Sequence, residues 1–251
     1  MVSPKDAVTE VQEIALLATR SFWGAFRRPF YFREILIQMD QVGVGSLLII
    51  MLTGFFTGAV LTLQTASTLS SFGAIGFTGS LVSVSLVREL GPVLAALMVA
   101  GRMGSGMASE LGSMKVTEQV NAMRALGTDP VKKLVVPRIL ATVTMQPLLT
   151  IVTNCLGITG GLFVAVFLLQ ISPNLYLNSA WDALNYEDIL GGLIKPVVFG
   201  AILATVSCHC GMRTTGGTRG VGRSTTQAVV VSSILILVSD FFLTRIILAY
   251  L

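Results

Sequence analysis

Four ionisable residues, Arg88, Glu89, Lys195 and Asp240, stand inside otherwise apolar stretches. A charge at the centre of a membrane-crossing helix costs about 2.5–3.5 kcal/mol on insertion scales, so each needs a partner or water. Two cations and two carboxylates admit two kinds of role. They can form a buried ion-pair network that fixes helix packing. They can also act in function, coupling a cavity to a motor, touching a lipid headgroup, relaying ions or protons, or doing acid–base work. Arg88 and Glu89 point about 100° apart on one helix and are poor partners for each other. Cross-helix pairs are therefore expected, Arg88 with Asp240 and Glu89 with Lys195, with the exchanged pairing left open. Pro92 cannot donate to the carbonyl of residue 88 and disfavours helix at Gly91, which predicts a kink beside the charges.

Two other clusters carry less. Cys208-His209-Cys210 offers sulfur and imidazole, but neighbouring helical residues diverge and no further His or Cys group completes a metal site. No metal site and no catalytic residue is assigned. Gly217-Thr-Arg-Gly-Val-Gly222-Arg223-Ser224 comes close to a phosphate-binding loop, with arginine where lysine belongs. A working loop of that kind follows a strand and opens a helix. This one joins two apolar segments and reads as a basic connecting loop. The chain itself thus carries no ATPase signature, no cofactor is expected on it, and it is read as a non-enzyme.

The elements that position these residues are membrane helices. Hydrophobic residues make up 53% and charged residues 12%, with mean hydropathy +0.80, against roughly 25% charged in soluble domains. Five apolar regions are long enough for the ~20 residues a spanning helix needs. They run over about 42–63, 80–103, part of 134–171, 187–210 and 225–250. The third, at about 38 residues or roughly 57 Å of helix, exceeds one crossing; Pro137, Arg138 and Pro147 suggest a surface-lying approach, with a re-entrant pair as the alternative. The fold class is all-α integral membrane. Residues 1–40 form an N-terminal region, and 41–251 a five-span membrane domain.

Basic residues set the expected orientation. Lys5, Arg20, Arg27, Arg28 and Arg33 precede the first span. Arg102, Lys115, Arg124, Lys132, Lys133 and Arg138 lie between the second and third, and Arg213, Arg219 and Arg223 between the fourth and fifth. The connections 64–79 and 172–186 hold none. This places the N-terminus in the cytoplasm and the C-terminus outside. The start has no apolar run of signal-peptide type, so insertion is expected to rest on the later spans. Ser3-Pro4-Lys5-Asp6 suits a capped helix start, and Val8, Val11, Ile14, Ala18 and Phe22 recur at helical spacing, followed by Trp23, Phe26 and Arg27-Arg28. An amphipathic helix in the headgroup plane is expected, with a helix packed on the bundle as the alternative. Cys155, Cys208 and Cys210 all lie in apolar segments, so no disulfide framework is expected.

The connection between spans two and three reads as a cytoplasmic docking helix over about 109–127. Leu111, Met114, Val120, Met123 and Leu126 mark one face, and Glu110, Lys115, Glu118, Gln119 and Arg124 the others. Gly127 and Asp129-Pro130 stop it. Such a helix can seat in the groove of a cytoplasmic partner. Glu110, Met114, Glu118, Met123, Arg124, Gly127 and Asp129 are the candidate coupling residues. Gly54/Gly58 and Gly157/Gly161 are small-xxx-small pairs, read as weak hints of a dimer contact.

Asn121-Ala-Met-Arg-Ala-Leu-Gly127-Thr-Asp-Pro130 and Val135-Val-Pro137 resemble the coupling loop of ABC importer permeases. Arg88-Glu-Leu-Gly-Pro92, Ala100-Gly-Arg102, Thr117-Glu-Gln119, Asp129-Pro130, Pro137-Arg138 and Ser239-Asp-Phe-Phe-Leu-Thr244 are together similar to the MlaE (YrbE) permease family, from about residue 40 to the C-terminus. The resemblance implies the permease subunit of an MCE-type ABC lipid transporter in the bacterial inner membrane. It implies a homodimer with two ATPase subunits that carry ATP and Mg, an MCE-domain protein outside, a small STAS-domain protein inside, and phospholipid as cargo. It also implies a lipid pathway along the outer end of span one and span two, for which Leu61, Thr68, Leu69, Phe72 and Leu90 are the candidates, against ordinary packing or bilayer-facing positions. From a different class, an ion- or proton-coupled secondary transporter or channel would use the intramembrane charges and no ATPase. A membrane-anchored scaffold without transport is a third reading.

Overall fold

The computed structural model describes residues 4–25 and 31–250, and the side chains of these other than 4–8, 11, 25 and 250. The N-terminal helix α1 is Pro4–Ala25, and α2, Phe32–Ser71, is the first spanning helix. The second is a composite of α3 (Thr78–Ser85), α4 (Gly91–Val99) and α5 (Ser105–Val116). Its pieces are joined by wide π-helical turns at Leu86–Leu90 and Ala100–Gly104. A short α6 (Gln119–Ala125) leads through a further π turn, Val131–Val135, into α7 (Val136–Phe167). Then come α8 (Pro173–Asp182), α9 (Tyr186–Met212) and α10 (Gly217–Tyr250). Among the described residues, five helical stretches are long and apolar enough to cross a membrane, as the hydropathy runs predict. The described fold is an all-α, multi-pass membrane protein.

The third spanning stretch is one continuous helix through Pro147. The sequence instead suggests a separate surface-lying approach at its start. The change of geometry lies at the π turn Val131–Val135, just before Pro137, which occupies the first turn of α7 where its missing N–H costs nothing.

The chain forms two compact units. The first comprises the chain up to Val44 with Val99–Met145 and Phe199–Ile236. Its apolar core includes Ala108, Val206, Cys210 and Ala228, and beside them Leu111, Val135 and Cys208. Helix α1 is seated here: Ile14 and Leu17 pack into these clusters. Glu13 takes an ion pair from Arg213 at 2.9 Å and faces His209 at 3.9 Å. Phe22 and Trp23, by contrast, are 64% and 66% exposed. The expected capping Ser3, the side chains of Val8 and Val11, and Phe26-Arg27-Arg28 lie outside the described residues.

The second unit comprises Gly45–Met98, Gln146–Val198 and Leu237–Leu251. Helices α2 and α7 approach almost backbone to backbone. A Cβ on Gly54 would lie 2.7 Å from the carbonyl oxygen of Thr153. One on Gly58 would strike the carbonyl of Gly157, and one on Gly160 that of Phe55. The small-xxx-small pairs, read in the sequence as hints of a dimer, are thus used within one chain. Helix α8 is fastened to α3: Ser80 and Ser179 exchange hydrogen bonds at 2.9 Å, and Ser83 donates to the carbonyl of Ala180 at 3.0 Å. Tyr176 of α8 is buried at 1% exposure, and that burial raises its phenol pKa against a smaller lowering by Thr62.

Candidate functional site

The charges within the spans gather in the second unit, at the π turn that Pro92 closes. Gly91 donates its N–H to the carbonyl of Leu86, the i→i+5 spacing of a π turn. The α-helical donor to the carbonyl of Arg88 would be residue 92, a proline. Lys195 supplies a substitute: its Nζ lies 3.0 Å from that carbonyl. The same ammonium lies 2.6 Å from Glu89 Oε2 and 2.8 Å from Thr244 Oγ1, and is 3.2 Å from Asp240 Oδ1. Its side chain is 2% exposed. A lone buried ammonium would be costly, and two carboxylates, a hydroxyl and a carbonyl around it meet that cost. Thr244 passes the network on by donating to Glu89 Oε1 at 3.1 Å.

The Glu89–Lys195 pair expected from the sequence is formed, whereas the Arg88–Asp240 pair is not. Arg88 instead pairs through Nε with Asp188, whose side chain is 5% exposed, and Asp240 faces Lys195. Depth alone cannot choose a partner, because the direction each side chain takes around its helix decides it. Asp188 is the residue that sequence reasoning missed. Its signal was present as Asn185-x-x-Asp188: Asp188 Oδ2 accepts the N–H of Asn185 at 3.1 Å, as in a capping box at the start of α9. A carboxylate held in a first helical turn is also favoured by the helix dipole. A cavity of about 290 Å3 opens on this cluster, lined by Arg88, Glu89, Glu187, Asp188, Lys195 and Thr244, with Gly191, Gly192, Ile247 and Leu248 as its remaining walls. The arrangement is an ion-pair network on one side of a polar cavity.

Of the pathway candidates, Leu61, Thr68 and Leu69 stand on the last part of α2, Phe72 in the turn just past its end, and Leu90 in the π turn beside the charges. Thr68 and Phe72 are exposed, and Leu61, Leu69 and Leu90 half-buried. Thr68 spends its hydroxyl proton on the carbonyl of Gln64 at 3.1 Å.

The coupling candidates all lie in the first unit, on a broken helix, at its corner and in the turn that follows it. The expected single helix over 109–127 is two pieces. Helix α5 stops at Val116, Glu118 takes the left-handed backbone at φ 61°, and α6 begins at Gln119. Asn121 donates to the Glu118 carboxylate across this corner. Leu111 and Val120 are fully buried, and Met114 packs on the Leu111 cluster. Leu126, expected on the same helix face as these residues, is 83% exposed. The α6 helix has ended by then, and Gly127 at φ 76° turns the chain away. Met123 is half-buried and Arg124 is exposed. Asp129 accepts the N–H of Val131 at 2.9 Å and starts the following turn. At the root of the loop, the buried Arg138 bridges Glu110 at 2.7 Å and the carbonyl of Leu134 at 2.7 Å. Among the described residues no group of His, Cys, Asp and Glu is arranged to hold a metal ion.

Comparison with known proteins gives these arrangements a family. The family model described as Permease MlaE matches residues 35–246. A probable ABC transporter permease protein of Rickettsia typhi is 41% identical over 244 residues, covering 96% of this chain and 94% of the relative. A protein of the same description from Synechocystis is 45% identical over 212 residues, covering 84% and 81%. The chloroplastic protein TRIGALACTOSYLDIACYLGLYCEROL 1 of Arabidopsis thaliana is 36% identical over 242 residues, covering 96% of this chain and 69% of the relative. With a family match across most of its length and a relative aligned nearly end to end, the chain belongs to the MlaE family of ABC transporter permeases.

Proposed function

We propose that the chain is the membrane subunit of a lipid transporter, moving phospholipid between the bacterial inner membrane and an external MCE-domain carrier. The observation that carries the lipid reading is its 36% identity over 242 residues to an Arabidopsis protein whose name is that of a galactolipid. Basic residues flank one set of span ends and are missing from 64–79 and 172–186, which supports a cytoplasmic N-terminus and an external C-terminus. In this reading α1, with Phe22 and Trp23 outward, rests at the cytoplasmic headgroup level.

The motor is an ABC ATPase on a partner chain, holding ATP and Mg, in a complex built on a homodimer of this chain. The exposed Leu126 and Arg124, with Glu118, Met123, Gly127 and Asp129, form its docking element, and Glu110 and Met114 tie that element to the bundle. The lipid runs along Leu61, Thr68, Leu69, Phe72 and Leu90. The charge cluster sets the packing of the helices that line the path. A small STAS-domain protein completes the cytoplasmic side.

Affinity purification of the tagged chain from membranes in mild detergent, with mass spectrometry of proteins and extracted lipid, tests this. An ATPase and an MCE-domain protein retained with phospholipid is the expected result. A chain that purifies alone, holds no lipid and conducts ions once reconstituted would contradict it.

A further inference from the structure

The first unit holds a second polar cavity, of about 230 Å3, at the turn that joins α9 to α10. Its polar lining includes Glu10, His209, Arg213, Arg223, Ser224 and Gln227, and Ile14 and Val231 give it apolar walls. Some of these groups are already engaged. Arg213 is paired with Glu13 at 2.9 Å, and the same carboxylate lies 3.9 Å from His209 Nε2. Ser224 and Thr214 share a hydrogen bond of 2.8 Å that pins the turn. Gly220 is on the lining too, and a Cβ there would strike the carbonyl of Thr215. Glu10 and Arg223 are different: neither makes an ion pair with another described residue. Among the described residues, one small cavity therefore presents a carboxylate and a guanidinium that pair with no other side chain.

That pairing selects the ligand. A simple anion would satisfy Arg223 and be repelled by Glu10. A molecule carrying both signs satisfies both groups. Guanidinium binds phosphate oxygens with its fork of donors, and the Gln227 amide adds another. A primary ammonium offers its three donors to a carboxylate. The site's surroundings indicate where such a molecule comes from. The flanking spans end at Met212 and begin at Gly217, so the cavity lies at a membrane boundary. Arg223, Gln227, Val230 and Ile234 follow at helical spacing on α10, and Val230 and Ile234 are 50% and 55% exposed. A headgroup at Arg223 would leave its acyl chain along that apolar stripe. Basic pockets between spans at a membrane surface are known to hold lipid headgroups.

We infer that this cavity binds the zwitterionic headgroup of an aminophospholipid, with the phosphate on Arg223 and Gln227 and the ammonium on Glu10. The inference uses the membrane spans and this cavity alone, and it stands or falls apart from the transport reading.

The test is native mass spectrometry of the detergent-purified protein, with any retained subunits, after incubation with phosphatidylethanolamine or phosphatidylglycerol in mixed micelles. Wild type should retain phosphatidylethanolamine at least five-fold better than phosphatidylglycerol. Arg223→Gln should lose one bound phosphatidylethanolamine per chain, and Glu10→Gln should keep the lipid but lose the preference. Gln227→Ala, at an exposed position, is the second variant should Arg223→Gln lower the melting temperature, and it should reduce retention in the same direction. Unchanged retention in both Arg223→Gln and Gln227→Ala would overturn the site. Millimolar glycerophosphoethanolamine separates the sources. Lipid retention that survives it, yet falls in Ile234→Gln, supports a membrane lipid. Full displacement by it with Ile234→Gln silent would mean a soluble phosphate ester and overturn the lipid assignment.

Discussion

Lys195 places its ammonium 3.0 Å from the carbonyl of Arg88, the acceptor that Pro92 cannot serve. One side chain thus caps a helix break and holds the carboxylates of Glu89 and Asp240. Two requirements of the sequence, a proline in a spanning helix and a lysine in another, answer each other.

Replacing Lys195 by Met removes the cation and leaves Glu89 and Asp240 facing the same space. Removing one member of a buried pair costs about 3–5 kcal/mol. The expected loss is about 3 kcal/mol, because the Glu89 side chain is 38% exposed and water shields part of the repulsion. Asp240→Asn should cost less, since Lys195 keeps Glu89, Thr244 and the Arg88 carbonyl. Thermal unfolding in detergent ranks the two. Normal transport by Asp240→Asn at reduced stability would mark the cluster as structural.

The close crossing of α2 and α7 gives a sharper steric prediction. Gly58→Ala places a methyl group against the Gly157 carbonyl, which is backbone and cannot swing aside. Overpacking of this kind costs about 1–3 kcal/mol. Gly76→Ala is the control, because nothing lies within 4 Å of its Cβ position. A lowered melting temperature for the first and not the second is expected. Equal values would mean that the two helices separate readily.

At the root of the coupling loop, burial is uneven. The Arg138 side chain is 4% exposed and that of Glu110 is 53% exposed. Glu110→Ala strands a buried guanidinium, whereas Arg138→Met leaves a carboxylate that water can reach and fills the vacated space. The glutamate variant should therefore be the less stable of the two by about 1 kcal/mol or more, measured by thermal unfolding. The opposite order would show that water reaches Arg138.

Leu126 is 83% exposed at the C-terminal end of α6. Leu126→Glu should leave the melting temperature unchanged while reducing recovery of the partner ATPase at least ten-fold, the equivalent of about 1.4 kcal/mol of binding. ATPase recovery equal to wild type would remove Leu126 from the docking surface.

Much of this architecture is legible in the residues. Five long apolar runs fix the spans, because a bilayer sets their length. Pro92 announces the break beside Arg88, and the Glu89–Lys195 contact follows from matching depth. What escapes is whatever depends on direction around a helix. Arg88 turns to Asp188 and leaves Asp240 to Lys195. Gly54 and Gly58 meet α7 of their own chain, although their spacing would serve a dimer equally well. The corner at Glu118 escapes for another reason. Glutamate rarely adopts positive φ, so no residue type announces the turn.

The most direct test of the transport account is movement of labelled phospholipid by the chain and its co-purified ATPase in proteoliposomes, with acceptor MCE-domain protein outside. Transfer that requires ATP hydrolysis and falls with Leu126→Glu is the predicted result. Ion flux through the chain alone, with no ATP-dependent lipid transfer, would contradict it.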